Sequence, residues 1–163
     1  MYRDYLDDTV VTTATRQQAH EEKQMRWVTR EQVAVDRMAC AWLVRRFIDP
    51  EAEFVFVPEG ERALPADAEP FDMPGVRLSH RHGRATFHTM LHEYHLTDPV
   101  LGRISRLVDE ADVVQEVTLE PVAPGLDLIC RGLRRISSDD QVALERGRPI
   151  FDALYAQFAS ELS

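Results

Sequence analysis

Apolar residues recur along this chain first with helical spacing and then in short extended runs. Between Val33 and Ile48 the spacing predicts a helix, with Cys40, Leu43, Val44 and Phe47 at i, i+3, i+4 and i+7. Asp49-Pro50 ends it, because the residue before a proline disfavours the α region. Ahead of it Arg26 to Thr29 reads as a short strand. Behind it Glu53 to Val57 (EFVFV) is β-branched and aromatic, as a buried strand should be. Pro58 to Pro74 holds four of the nine prolines and reads as one long loop. Gly75 to His82 is the third expected strand, closed by Gly83. The remainder is helical. One helix is expected over Ala85–His95. A second opens at Asp98-Pro99 and carries the stripe Ile104, Leu107, Val108 and Ala111. A third runs from about Gly125, with Leu126, Ile129, Cys130 and Leu133 inward. The last starts at Ser138, where the serine can cap and Asp139 and Asp140 meet the positive helix end. Its core face is Phe151, Leu154, Tyr155, Phe158 and Leu162. Residues 1–24 lack apolar periodicity and are expected to form a mobile arm. Residues 25–163 then form a single α/β (α+β) domain, with a small sheet of about three short strands and a helix-rich C-terminal half.

Composition narrows the function classes. The 163 residues carry a formal charge of −9 and are 44% hydrophobic. The acidic balance argues against direct nucleic-acid binding, where phosphate neutralisation dominates affinity. No apolar run has the roughly 18 residues of a membrane span, and the acidic opening lacks a signal-peptide core, so a cytoplasmic location is expected. The two cysteines are 90 residues apart and form no CxxC pair. The seven glycines spell no GxGxxG, GxxxxGK or GxSxG, which removes the dinucleotide, P-loop and hydrolase-elbow signatures. Among 19 basic residues Lys23 is the single lysine. Such arginine enrichment follows from a GC-rich genome, and it also suits bidentate binding of carboxylates and oxyanions.

The candidate chemistry lies in the histidines. His80, His82, His88, His92 and His95, five of six, fall within sixteen residues. On a strand His80 and His82 would share a face, and on a helix His88 and His92 lie one turn apart. Both spacings can aim two imidazoles at one ion, with Glu93, Asp98, Asp109 or Asp112 available to complete the shell. The plainer alternative is a solvated histidine-rich face. On the first helix Asp36 and Cys40 share a face, with Arg37, Arg45 and Arg46 around its ends. A thiol near arginines would have a depressed pKa, although Cys40 also fits a small core residue.

The stretch WVTREQVAVDRMACAWLVRRFIDPEAEFVFVP resembles the signature of the chromate-resistance domain at the C-terminus of ChrB-type proteins. FDMPGVRLSHRHGRATF, LTDPVLGRISRLVDEAD and GRPIFDALYAQF support the likeness, which covers residues 26–160. On that resemblance Asp36, Arg37, Cys40, Trp42, Arg46, Phe47 and Asp49 fall on the family's first-helix pattern. His80 falls on its histidine after the third strand, and Asp112 on its aspartate after the central helix. The chain departs from the pattern at Ala85-Thr86-Phe87-His88, where relatives read Cys-Ser/Thr-Phe-Glu/Asp, and at Asp109, where many have histidine.

The resemblance implies a bacterial domain linked to chromate resistance. Longer relatives join it to an N-terminal region and to chromate-responsive regulation, which is not expected of this chain alone. Joined to the residue pattern, it points to a divalent metal (Zn, Mn or Fe) held by His80, His88 and Asp112. Asp109 or His92 would be added ligands, and Asp36, Cys40 and Arg37 would support them from behind. A different class is a metal-free module taking up an oxyanion through Arg37, Arg45 and Arg46. The expected partners are a small oxyanion or a metal ion, and a homodimer and catalysis are both left open.

Overall fold

A computed structural model describes residues 25–113 and 117–163. The expected arm, residues 1–24, lies outside the described residues. The elements are β1 (Arg26–Arg30), α1 (Val35–Leu43) running into a π-helical turn (Val44–Ile48), β2 (Glu53–Val57), β3 (Ala68–Pro70), α2 (Thr86–Glu93), α3 (Pro99–Asp112), α4 (Ala123–Ile136) and α5 (Asp140–Ser160). Among the described residues the fold is thus a three-stranded parallel sheet with five α-helices, of the mixed α/β class that the apolar pattern predicts.

β1 is the central strand in the order β2-β1-β3, with Val28 opposite Val55 on one side and Pro70 on the other. A central parallel strand is covered on both faces, so Trp27, Val28 and Thr29 are all buried. Trp27 meets the rings of Phe71 and Tyr94 in the main core. Val28 joins a smaller apolar cluster with Val57 and Met73. Thr29 donates its hydroxyl to the Phe71 carbonyl at 2.7 Å, tying β1 to the segment after β3.

α1 packs against α2, α3, α4 and α5. A helix so enclosed must be apolar nearly all round, and eight of its nine residues are buried. The ninth, Arg37, is half-buried. Trp42 is the centre of an aromatic cluster with Phe47, Phe87, Phe151 and Tyr155 at centroid distances of 5.7–6.5 Å. Its indole N–H donates to Asp152 at 2.9 Å. The π turn closes with Asp49 N–H to the Val44 carbonyl at 2.7 Å. The Asp49 carboxylate then accepts the Trp27 indole N–H at 3.1 Å, which ties the end of α1 to β1.

Four local expectations are corrected. The third strand is Ala68–Pro70, inside the stretch expected to be a loop, and Gly75–His82 is not a strand. Asp72, Gly75, His82 and Gly83 all have φ between 51° and 79°, which breaks an extended run on both sides of Ser79. Pro70 lacks an N–H, yet it is tolerated because β3 is an edge strand. Asp139, not Ser138, caps α5 by accepting the Val142 N–H at 2.8 Å. Asp140 instead accepts the backbone N–H groups of Gln32 and Val33 at 3.0 and 2.8 Å, docking α5 onto the β1–α1 connection. Ile129 and Leu162 are exposed: α4 packs through Leu126 and Cys130, and Leu162 lies beyond the last turn of α5. Among the described residues no helix is long and apolar enough to cross a membrane.

Phe151 is fully buried beneath Trp42. Phe151→Ala should destabilise the domain by about 3–5 kcal/mol. Urea unfolding should show this as a lower midpoint with an unchanged slope.

Candidate metal centre

Asp36 stands in the first turn of α1 and is 1% exposed. A carboxylate is stable there only if its oxygens are fully used, and they are. Oδ2 accepts the Thr86 N–H at 2.8 Å and Oδ1 the Phe87 N–H at 3.0 Å. These are the first two amides of α2, whose own N-cap residue, Ala85, supplies no side-chain bond. Asp36 therefore caps a second helix from the outside, at its positive end. The Cys40 thiol also donates to Oδ1 at 3.5 Å.

His80 is brought to Asp36 by the segment between β3 and α2. Its left-handed backbone starts at Asp72, whose N–H donates to the Leu78 carbonyl at 2.8 Å. The Thr89 hydroxyl holds the Ser79 carbonyl at 2.7 Å. Arg81 and Arg84 exchange backbone hydrogen bonds of 3.2 and 2.9 Å across His82-Gly83. Both of those residues have positive φ, as a type I′ turn requires. His80 is fixed between the two constraints.

Three carboxylates converge on its ring. His80 Nε2 lies 3.0 Å from Asp36 Oδ2, 3.2 Å from Asp112 Oδ2 and 3.4 Å from Asp72 Oδ1. Asp112 is the last residue of α3, where the helix dipole disfavours an acid. Asp72 accepts the Thr86 hydroxyl at 2.7 Å, and Arg37 Nε lies 3.0 Å from its other oxygen. One ring N–H serves one acceptor well, so a protonated imidazole that bonds Asp36 leaves the other two carboxylates underserved by it.

The titration behaviour follows. Hydrogen bonds to Asp36 and then Asp72 raise His80 to about 10. Burial, reinforced by Asp36 and Asp72, pushes Asp112 up to about 6. Burial and the Asp72 charge also raise Asp36, against the bonds it accepts. For Asp72 burial opposes ionisation, but the bonds from His80 and Thr86 and the Arg37 charge hold its carboxyl below the usual range.

A cation at this point would relieve the crowding. Nitrogen and oxygen donors about 2.0–2.2 Å from a divalent ion stand about 3 Å apart. Asp36, His80 and Asp112 each offer a donor atom, all within 4.8 Å of one another. Asp36 is at the back of the group, and the half-exposed His80 opens to solvent. A cavity of about 400 Å³ lined by Arg37, Asp72 and His80 adjoins the group.

Among the residues expected to form a site, the structure brings His80 and Asp112 together and adds Asp36 as a direct donor. The others lie elsewhere. His88 Nε2 accepts from Arg84 Nη1 at 3.1 Å, and burial followed by the Arg84 charge lowers its pKa. Asp109 accepts the Arg84 Nε–H at 2.8 Å and the Ala85 N–H at 2.9 Å. His92 lines a separate cleft with His82, His88 and His95. The first-helix arginines face different carboxylates: Arg37 meets Asp72, Arg45 meets Glu145 and Arg46 meets Asp152. Cys40 is buried, and burial followed by the Asp36 charge raises its pKa well above normal, opposite to the shift neighbouring arginines would cause. Sequence reasoning missed Asp72. The available signal was an acid before Met73-Pro74-Gly75, a turn context that tolerates left-handed backbone.

The family model for the C-terminal domain of ChrB matches residues 27–158. Protein ChrB of Cupriavidus metallidurans is 36% identical over 135 residues, an alignment covering 82% of this chain and 41% of that protein. The chain thus spans about two fifths of that relative's length. No solved structure matches.

Asp36→Ala would strand two helix N–H groups and should cost about 3–5 kcal/mol in chemical denaturation, with Asp36→Asn costing less. Asp112 has a folded pKa near 6, above its unfolded value, so its contribution is present below about pH 4 and is lost as pH rises through 6. In chelator-treated protein, Asp112→Asn should therefore stabilise at pH 8, by about 1–2 kcal/mol after solvent screening. At pH 4 it should be neutral. Melting curves at the two pH values check this.

Proposed function

The chain belongs to the ChrB C-terminal domain family, a chromate-resistance family, and from that premise we propose that it is a metal-dependent module of chromate or metal-oxyanion resistance or sensing. The observation that carries the reading is the convergence of three carboxylates within 3.4 Å of one imidazole nitrogen. Asp36, His80 and Asp112 would hold the ion, with Asp72 beside them. This oxygen-rich donor set suits a hard or borderline divalent ion such as Mn, Fe or Zn. A bound ion would supply Lewis acidity toward a small oxygen ligand.

The residues around the donors support that role. Thr86 and Phe87 N–H groups occupy one side of the Asp36 carboxylate and leave the side toward His80 for the ion. Arg37 neutralises Asp72 from the cavity wall and donates Nη2–H to the Asp72 carbonyl at 3.1 Å. It keeps a positive charge beside the opening, where an anionic ligand would enter.

Untagged protein purified without chelator should carry close to one equivalent of divalent metal by elemental mass spectrometry. His80→Ala and Asp112→Asn should each lose it while keeping a native circular dichroism spectrum. Wild-type protein that stays metal-free after exposure to Mn, Fe(II) and Zn would overturn the reading. The ion must displace the His80 proton, which is held up to a pH of about 10. Affinity should therefore rise about tenfold per pH unit between pH 7 and 9.

A further inference from the structure

Among the described residues, nothing covers the outer face of α4. The inner side of this helix, Ala123, Leu126 and Cys130, is buried against α1, α3 and α5. The outer side starts at the N-cap Val122 and carries Leu128, Ile129 and Ile136, all between 50% and 71% exposed. Val117 and Leu119, in the segment leading into the helix, are as exposed as these. Six of the eight exposed large apolar residues thus fall between positions 117 and 136. Single exposed apolar side chains are ordinary, whereas a cluster of this size marks an interaction surface.

The pattern of that face says what fits it. Val122, Ile129 and Ile136 are spaced seven residues apart, and so are Gly125 and Gly132. On a helix all five share one face, with large and small residues alternating at steps of three and four. That is the seam of a left-handed helix pair. The glycines are hollows between ridges. A Cβ added at either would meet nothing within 4 Å, so packing within the chain does not require them. Glycine weakens a helix, and what it offers in exchange is close approach of another backbone.

We propose that the partner is a second copy of this chain, its α4 paired antiparallel with the first about a two-fold axis. The interval between the apolar ridges Ile129 and Ile136 matches the interval between the hollows. In the antiparallel register Ile129 and Ile136 of one copy seat over Gly132 and Gly125 of the other. The two-fold axis repeats both contacts, so every hollow is filled. A parallel two-fold pair would set isoleucine on isoleucine and glycine on glycine, leaving voids. At about 100 Å² for each aliphatic side chain, six from each copy bury about 1,200 Å² in all. This is the lower end of stable specific interfaces, so the dimer forms at roughly micromolar concentration.

Sedimentation velocity of the full chain from about 2 to 200 μM is the test, because mass action makes the dimer appear with concentration. The mass should rise from 18.7 kDa toward twice that value. Being apolar, the contact should persist in about 0.5 M sodium chloride. Ile129→Lys should remain monomeric throughout, with an unchanged melting temperature at the lowest concentration, since its side chain is half exposed. Gly132→Leu is the sharper variant. Its Cβ has room in the monomer and leucine favours helix, so the melting temperature should hold or rise. Filling the hollow should nevertheless weaken association at least tenfold, whereas unspecific apolar adhesion would strengthen. A monomer at every concentration, a dimer that survives Ile129→Lys, or tighter association of Gly132→Leu would each overturn the proposal.

Discussion

The structure depends on a carboxylate that has been taken out of water. Asp36 is buried in the most enclosed helix of the fold, and its two oxygens are shared among the first amides of α2, the Cys40 thiol and His80. Removing a carboxylate from solvent is expensive, and the cost is met here by a helix end. α2 starts where Asp36 stands, so the direction of α2 and the position of the His80 segment are fixed together. Asp109 repeats the device from α3 by taking the Ala85 N–H. The N-terminus of α2 is thus gripped from two other helices rather than by its own preceding residue.

Much of this arrangement is legible in the residues. The helical stripes place α1, α3 and α5 correctly because each buries a long apolar face against the others. β1 and β2 are visible because their β-branched and aromatic residues, Trp27, Val28 and Thr29 and then Phe54, Val55, Phe56 and Val57, favour extended backbone. β3 is hidden because its three residues include a glutamate and a proline, and an edge strand needs neither apolar alternation nor a full set of N–H donors. The site is half legible. His80 and Asp112 stand out by residue type. Asp72 does not, because its place is set by left-handed turns between β3 and α2 that spacing does not encode. His88 and His92 have the right spacing for ligands, but α2 carries them away from the carboxylates and toward the cleft shared with α3.

The abundance of arginine finds a structural use as well as a chemical one. Arg45 lies over the Phe54 ring at 4.9 Å, Arg46 over Tyr155 at 4.3 Å and Arg103 over Phe158 at 3.8 Å. Each is also paired with an acid. Flat guanidinium groups roof the edges of an aromatic core while staying hydrated. Lysine would cover less ring area and form no planar fork.

The placement of the thiols bears on electron transfer. Cys40 and Cys130, both cysteines of the chain, are buried. Burial pushes Cys130 up to about 12 and raises Cys40 well above its ordinary value. Thiol chemistry proceeds through the thiolate, so at neutral pH this domain offers none to an oxidising anion. The two thiols are therefore neither a ready source of electrons nor a ready site of oxidative damage.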